Sequence, residues 1–284
     1  MSVKVLYCEG ESKSLDIRVL STLLPRTCVV KAVGSKRIIP QRVLGAREAN
    51  QSALKVAGIK DRDFDASASA PTHQPHNWYV TDHQKKVQIG WYWERKEIEN
   101  YLIDPTVVKR ALGSKAPPLT EYRTALQTSA HLIADYTAAR IALSLARIQI
   151  VPLNNFWGEE REKAYHFPKN KGLKGENCRN QIRNLIKHYE QNLIMPELKV
   201  VNQFEELRQD CQAGGCRYQH FLTYFSGKDL LYGMRDQLRK FDFSSPVVFR
   251  GQIIKGIEES EEPVWTWLPE WQRFRDIIVG TDSH

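Results

Sequence analysis

The chain has 284 residues, a formal net charge of +8, 42% hydrophobic and 26% charged residues, and a pI near 9.2, the balance of a globular chain long enough for one large domain or two small ones. No apolar run approaches the roughly 20 residues that a membrane helix needs, no signal peptide is recognisable, and five cysteines without a repeated spacing argue against a disulfide framework. The expectation is a cytoplasmic chain with reduced thiols and no membrane partner; Cys211 and Cys216 lack the second ligand pair of a zinc site.

Val3 to Cys8 reads as a buried strand, and Glu9-Gly10-Glu11-Ser12 follows at once. Gly10 permits a tight turn, and Ser12 or Ser14 can cap an amphipathic helix carrying Leu15, Val19, Leu20, Leu23 and Leu24. Thr27 to Val33 is β-branched and apolar, Gly34-Ser35-Lys36 turns, and Ile38 to Ala49 reads as a helix with Pro40 near its start. Leu54 to Ile59 reads as a third strand, left by Asp61, Asp63 and Asp65 at alternate positions. Strand, helix, strand, helix, strand predicts an α/β fold with a mostly parallel, Rossmann-like sheet and right-handed crossovers. Ligands in such sheets bind beyond the carboxyl ends of the strands, where these acids would stand.

Ala66 to Lys86, rich in Ser, Ala, Pro, His, Gln and Thr, reads as a lid or loop beside the acids and contains His73, His76 and His83. Val87 to Trp93 is a further strand, followed by the acids Glu94, Glu97 and Glu99. Asp104-Pro105 predicts an N-cap with Pro at the first helical position, and Thr120 caps a long helix from Glu121 to about Arg147. Lys169, Lys171, Lys174, Arg179, Arg183 and Lys187 then face a single acid, Glu176. A helix from Asn177 would align Arg179, Arg183 and Lys187 on one face, either as a phosphate-tracking stripe or as a solvated surface. Phe204 to Cys211 reads as a short helix. Arg217 to Phe225 reads as an aromatic strand delivering Ser226-Gly227-Lys228-Asp229 to a helix N-terminus. This is no Walker A loop, since the upstream glycine is missing and Asp229 replaces Ser/Thr. Ser245-Pro246 opens another helix, and Trp265, Trp267 and Trp271 read as core or partner-facing anchors.

Glu9-Gly10, Asp61-x-Asp63, Glu97-x-Glu99-Asn100-Tyr101-Leu102 and Gly227-Lys228-Asp229-Leu230-Leu231 together resemble the TOPRIM domain, in the branch containing the OLD nucleases and the stand-alone TOPRIM effectors of bacterial anti-phage systems. The resemblance covers residues 1–105 and the segment around Lys228. It implies a TOPRIM core at 1–103, a helical insertion with the basic stripe at 104–215, a return to the core at 216–241 and a C-terminal helical tail at 242–284. It further implies Mg²⁺- or Mn²⁺-dependent phosphodiester cleavage of DNA or RNA, tRNA included, with Glu9, Asp61, Asp63 and Glu97 or Glu99 as ligands and Lys228 stabilising charge. An ABC-type ATPase encoded nearby would restrain such an effector. OLD nucleases usually carry an Asp four residues after the first glutamate; here Lys13 stands in that place, with Glu11 and Asp16 nearby, which leaves one or two metals open.

Hard oxygen ligands select Mg²⁺ or Mn²⁺ over zinc, and such ions activate water and neutralise charge on a phosphate. A fixed cation such as Lys228 is a common addition to that chemistry. The basic balance favours an anionic partner. Two other classes fit the same residues. A phosphatase or phosphotransfer domain needs no basic stripe, and a non-catalytic nucleic-acid- or partner-binding module would keep its binding when Asp61 and Asp63 are lost. The sequence leaves the choice between Glu97 and Glu99, and between monomer and homodimer, open.

Overall fold

Alternating apolar positions build a sheet early in the chain, and a 3.6-residue apolar period takes over after it. The computed structural model describes residues 2–50, 56–149, 173–190 and 197–281. They form two units, one of residues 1–62, 72–116 and 250–284, the other of residues 63–71 and 117–249.

The first unit contains β1 (Val5–Cys8), α1 (Leu15–Leu23), β2 (Val29–Ala32), α2 (Ile39–Asn50), β3 (Val56–Lys60), β4 (His76–Asp82), β5 (Lys85–Tyr92), α3 (Ile98–Leu102) and α4 (Pro105–Leu112). Strand order is β2-β1-β3-β5-β4, with β4 antiparallel to β5 and every other pairing parallel. This is the α/β, mostly parallel sheet that the sequence predicts, and its arrangement is compatible with a Rossmann-like fold. One face packs Val56 and Ile89 against Ile39 and Val43 of α2, with Val5, Tyr7, Trp78, Val80 and Val87 around them. Gly58 and Gly90, paired across β3 and β5, allow the close approach: a Cβ on Gly58 would lie 2.4 Å from Ile39 Cγ2, and one on Gly90 would lie 1.8 Å from the Gly58 carbonyl. A bulge beside Trp78 and Tyr79 re-phases β5, so Ile89 still reaches the core although Gly90 breaks the alternation.

The segment from Ala66 to Lys86, expected as a loop, holds β4 instead. His76 to Asp82 includes the β-formers Trp78, Tyr79, Val80 and Thr81, and its solvent-facing alternates are Asn77, Tyr79 and Thr81. A two-residue turn with positive φ at His83 and Gln84 returns the chain to β5. Neither residue is a glycine, which hides the hairpin from inspection.

The second unit contains α5 (Leu119–Gln149), α6 (Gly175–Glu190), α7 (Glu197–Cys211), α8 (Cys216–Gln219), α9 (Phe221–Tyr224), α10 (Gly227–Gly233) and α11 (Arg235–Lys240). The strand expected over Arg217 to Phe225 is therefore two helical turns. Its aromatic composition misled, because the segment is organised by Arg217, which is 2% exposed, bonded to Asp210 at 2.9 Å and stacked over Tyr224. Residues 216–241 thus belong to the helical second unit and add no strand to the sheet. The last stretch is divided: α12 (Pro246–Glu258) starts in the second unit and continues in the first from Arg250, and α13 (Pro269–Val279) lies wholly in the first. There Trp271, Phe274 and Ile278 are buried, with Phe274 against Trp91 and Trp93.

Candidate metal centre

β1 and β3 are adjacent and parallel, so their C-terminal ends open on one edge. Glu9 follows the first and Asp61 the second. Gly10, at φ 93°, turns the chain back; its backbone exchanges 2.9 Å hydrogen bonds with Gly34, and a Cβ there would meet Ser14 at 2.7 Å. That turn starts α1 close to the strand end, with Asp16 in its first turn. Glu9 Oε1 and Asp61 Oδ1 are both shielded from solvent. The Cys8 thiol registers the field: burial raises its pKa most, and the charges that raise it further are Asp16, Glu9 and Asp61.

These are hard oxygen donors on one strand edge, the donor type that Mg²⁺ and Mn²⁺ prefer. Among the described residues no group of three or more His, Cys, Asp or Glu side chains stands close enough to enclose a metal. Mg²⁺ seldom asks for such a cage, since it keeps several waters and takes one or two carboxylates plus substrate phosphate. The acid pair fits that mode in donor chemistry. Lys13, where an acid was expected, is exposed.

The remaining predicted residues are distributed between the units. Arg62 closes the first stretch of the first unit: its guanidinium donates to the Glu94 carbonyl, and its own carbonyl accepts from Lys96, both at 2.8 Å. Asp63 begins the second unit's first stretch. There Phe64 lies beneath Arg140, and Arg217 donates to the Asp65 and Ala66 carbonyls at 3.0 and 2.8 Å. Lys228 stands in the first turn of α10, also in the second unit, on a helix capped by Ser226. Its neighbour Asp229 is buried against Arg140.

Glu97 and Glu99 serve α3. Glu97 is its N-cap, with its N–H donating to Asn100 Oδ1 at 3.1 Å, and Glu99, 3% exposed, pairs with Arg250 at 3.2 Å. Around them lies a buried polar cluster that sequence reasoning missed. The Glu94 carboxylate accepts from Thr72 N, from Thr72 Oγ1 at 2.7 Å and from His73 N at 2.7 Å. Glu270 accepts the Glu94 N–H at 2.8 Å. Burial drives its pKa from 4.5 up to about 7, against the Tyr101 hydroxyl, the Glu94 N–H and Arg95, which pull it down. Arg95 in turn bonds Asp104 at 2.9 Å. The available signal was a single acid, Glu270, set beside Trp271 in a run otherwise apolar.

The basic stripe is partly spent inside its own unit. Arg179 bonds Glu205, and Arg183 reaches Glu197 at 3.1 Å, so α6 is tied to α7. Lys174 and Lys187 are exposed, and Lys169 and Lys171 lie outside the described residues. No protein-family model and no curated protein matches the chain, so the site is read from its residues.

Proposed function

We propose that the chain is a Mg²⁺- or Mn²⁺-dependent nuclease of TOPRIM type. The observation that carries the reading is the pair of solvent-shielded carboxylate oxygens of Glu9 and Asp61 at the ends of adjacent parallel strands. Glu9 and Asp61 would hold the ion, leaving its other positions to water and a substrate phosphate. When bound, the ion supplies an activated water and neutralises charge developing on the phosphate. The chain's own contribution is positioning: Gly10 fixes the turn that brings Glu9 to the edge, and the β1–β3 pairing fixes the spacing to Asp61. Asp63 and Lys228, which the resemblance assigns as ligand and charge stabiliser, belong to the second unit, and the proposal rests on Glu9 and Asp61. A toxin-like role in anti-phage defence, under an ABC-type ATPase partner, is the biological setting that the same resemblance supplies.

The test is cleavage of labelled DNA and RNA by the full chain with Mn²⁺ or Mg²⁺, beside a small phosphoester. Asp61→Asn and Glu9→Gln should reduce polynucleotide cleavage to background, and wild type should leave the small ester intact. Cleavage undiminished in both variants refutes the metal assignment; hydrolysis of the ester alone marks a phosphatase.

A further inference from the structure

The strand edge that carries Asp61 also carries a row of cationic and aromatic side chains. Register places Lys60, the last residue of β3, beside Tyr92, the last of β5, and Tyr92 beside His76, the first of β4. Because β4 runs antiparallel, its first residue reaches the same edge as the ends of β1, β3 and β5. Paired residues project to the same face of a sheet, so Lys60, Tyr92 and His76 stand side by side. The structure fixes each one. Lys60 Nζ lies 5.1 Å from the centre of the Trp78 ring and 5.7 Å from that of Tyr92. The His76 ring stacks on Tyr92 at 5.0 Å and 24°, with Nε2 4.0 Å from the Glu94 carboxylate. Glu94 is itself immobilised by Thr72 and His73, and Trp78 sits over Gly58. Lys60 and His76 are half-buried, so their stems are held while solvent still reaches them.

Two observations name the ligand. At the edge itself the cation is Lys60, set by the Trp78 and Tyr92 rings, so a phosphate there would meet one positive charge with aromatic faces beside it. Lys60 is followed directly by Asp61, so the anion it receives lies next to the proposed cation. Fixed cations interleaved with aromatic rings are the pattern that tracks a single polynucleotide strand, with phosphates on the cations and bases free to stack. We infer that Lys60 and His76 form a phosphodiester-binding subsite for a single-stranded segment of nucleic acid, held next to Asp61. The subsite rests on the nuclease reading for its biological meaning, and it moves the main substrate grip from the α6 stripe to the sheet edge.

The experiment measures binding of fluorescein-labelled single-stranded DNA, single-stranded RNA and duplex DNA by the full chain, by anisotropy in EDTA at several salt concentrations. Lys60→Met should weaken single-strand affinity about tenfold, the loss of one charge-assisted contact, and lower the salt slope by about one. His76→Gln should weaken it several-fold. Lys85→Met, at the tip of the β4–β5 hairpin and away from the edge, removes one lysine charge from the same sheet and should leave affinity within about twofold. The DNA and RNA arms identify the strand. Circular dichroism melts of Lys60→Met guard against a folding defect, and His76→Gln, at a half-exposed ring, supplies an independent reading. Equal losses in Lys60→Met and Lys85→Met, no loss in Lys60→Met and His76→Gln, or a preference for duplex would each overturn the subsite. Metal-dependent cleavage that survives such a result leaves the nuclease reading standing, whereas edge-dependent binding without any cleavage removes that reading and keeps the subsite.

Discussion

Two groups of acids follow strands of the same sheet, in different surroundings. Those after β5 are engaged within the first unit: Arg250 for Glu99, Thr72 and His73 for Glu94, and the nearby Arg95 for Asp104. Glu9 and Asp61, after β1 and β3, stand on one strand edge, and with Asp16 they are the charges that raise the Cys8 thiol beyond what burial does. An acid at a strand end is therefore not yet a ligand. A buried cation or N–H facing it makes it a structural clamp, while a gathering of like charge creates a field that a cation would relieve.

The largest expected effect comes from breaking a clamp. Arg250→Ala would leave Glu99 buried without its ion pair and should destabilise the first unit by about 3–5 kcal/mol, seen as a fall in Tm of roughly 10 °C. Replacing both partners by apolar residues, Glu99→Leu with Arg250→Met, should recover much of that loss, because it is mainly the cost of an uncompensated charge. A fall of under about 1 kcal/mol in Arg250→Ala would place Glu99 with the rim acids and restore it as a ligand candidate.

How much of this was legible follows from which interactions are local. β1, α1, β2, α2 and β3 announce themselves by period, and Asp104 with Pro105 by capping chemistry; Asp104 accepts from Thr106 N at 2.8 Å, as the sequence predicts. Glu9 and Asp61 could be placed at one edge because strands joined by crossovers run parallel and so end on the same edge. The partners of Glu94 and Glu99 could not. Arg250 is 151 residues from Glu99 and Glu270 is 176 from Glu94, and no local pattern specifies pairings at that range. Glu97 and Glu99 look alike in sequence, yet one caps α3 and the other is ion-paired within it. The stripe on α6 was visible as a period, but Glu197 and Glu205, which engage Arg183 and Arg179, sit on another helix. Lys60 pairs with Tyr92 across β3 and β5, and only the β4 strand, itself read as loop, brings His76 beside that pair.

A pH series sharpens the contrast at Glu270. Its folded pKa of about 7 lies above its ordinary 4.5, with burial the main cause. The folded state therefore holds a proton that the unfolded state has lost between those values. Stability from this group is full below about pH 4.5, falls as pH rises through 7, and is flat beyond. The slope relative to Glu270→Gln should approach roughly 1.4 kcal/mol per pH unit within that window. Gln keeps an oxygen for the Glu94 N–H and the Tyr101 hydroxyl, so denaturant titrations of the two proteins should diverge from pH 5 to 7, with the variant the more stable at pH 8. Parallel curves would mean that the groups facing Glu270, namely Tyr101, Glu94 and Arg95, hold it ionised throughout.

The smallest effect is expected where the comparison matters most. Without divalent ions, Asp61→Asn removes one of three like charges around Cys8, and thermal stability should stay level or rise by no more than about 1 kcal/mol. The sign is opposite to that of Arg250→Ala. Adding Mn²⁺ turns this small difference into a discriminating one. A ligand that binds only the folded state stabilises it by RT ln(1 + [L]/Kd), about 2.7 kcal/mol at 100 Kd, so wild type should gain several degrees in Tm and Asp61→Asn almost none. Glu99→Gln should respond to Mn²⁺ as wild type does, because its carboxylate already answers to Arg250. If Mn²⁺ instead raises Tm equally in wild type and Asp61→Asn, the edge acids are structural like the β5 group, and the cation, if one binds, is held elsewhere in the chain.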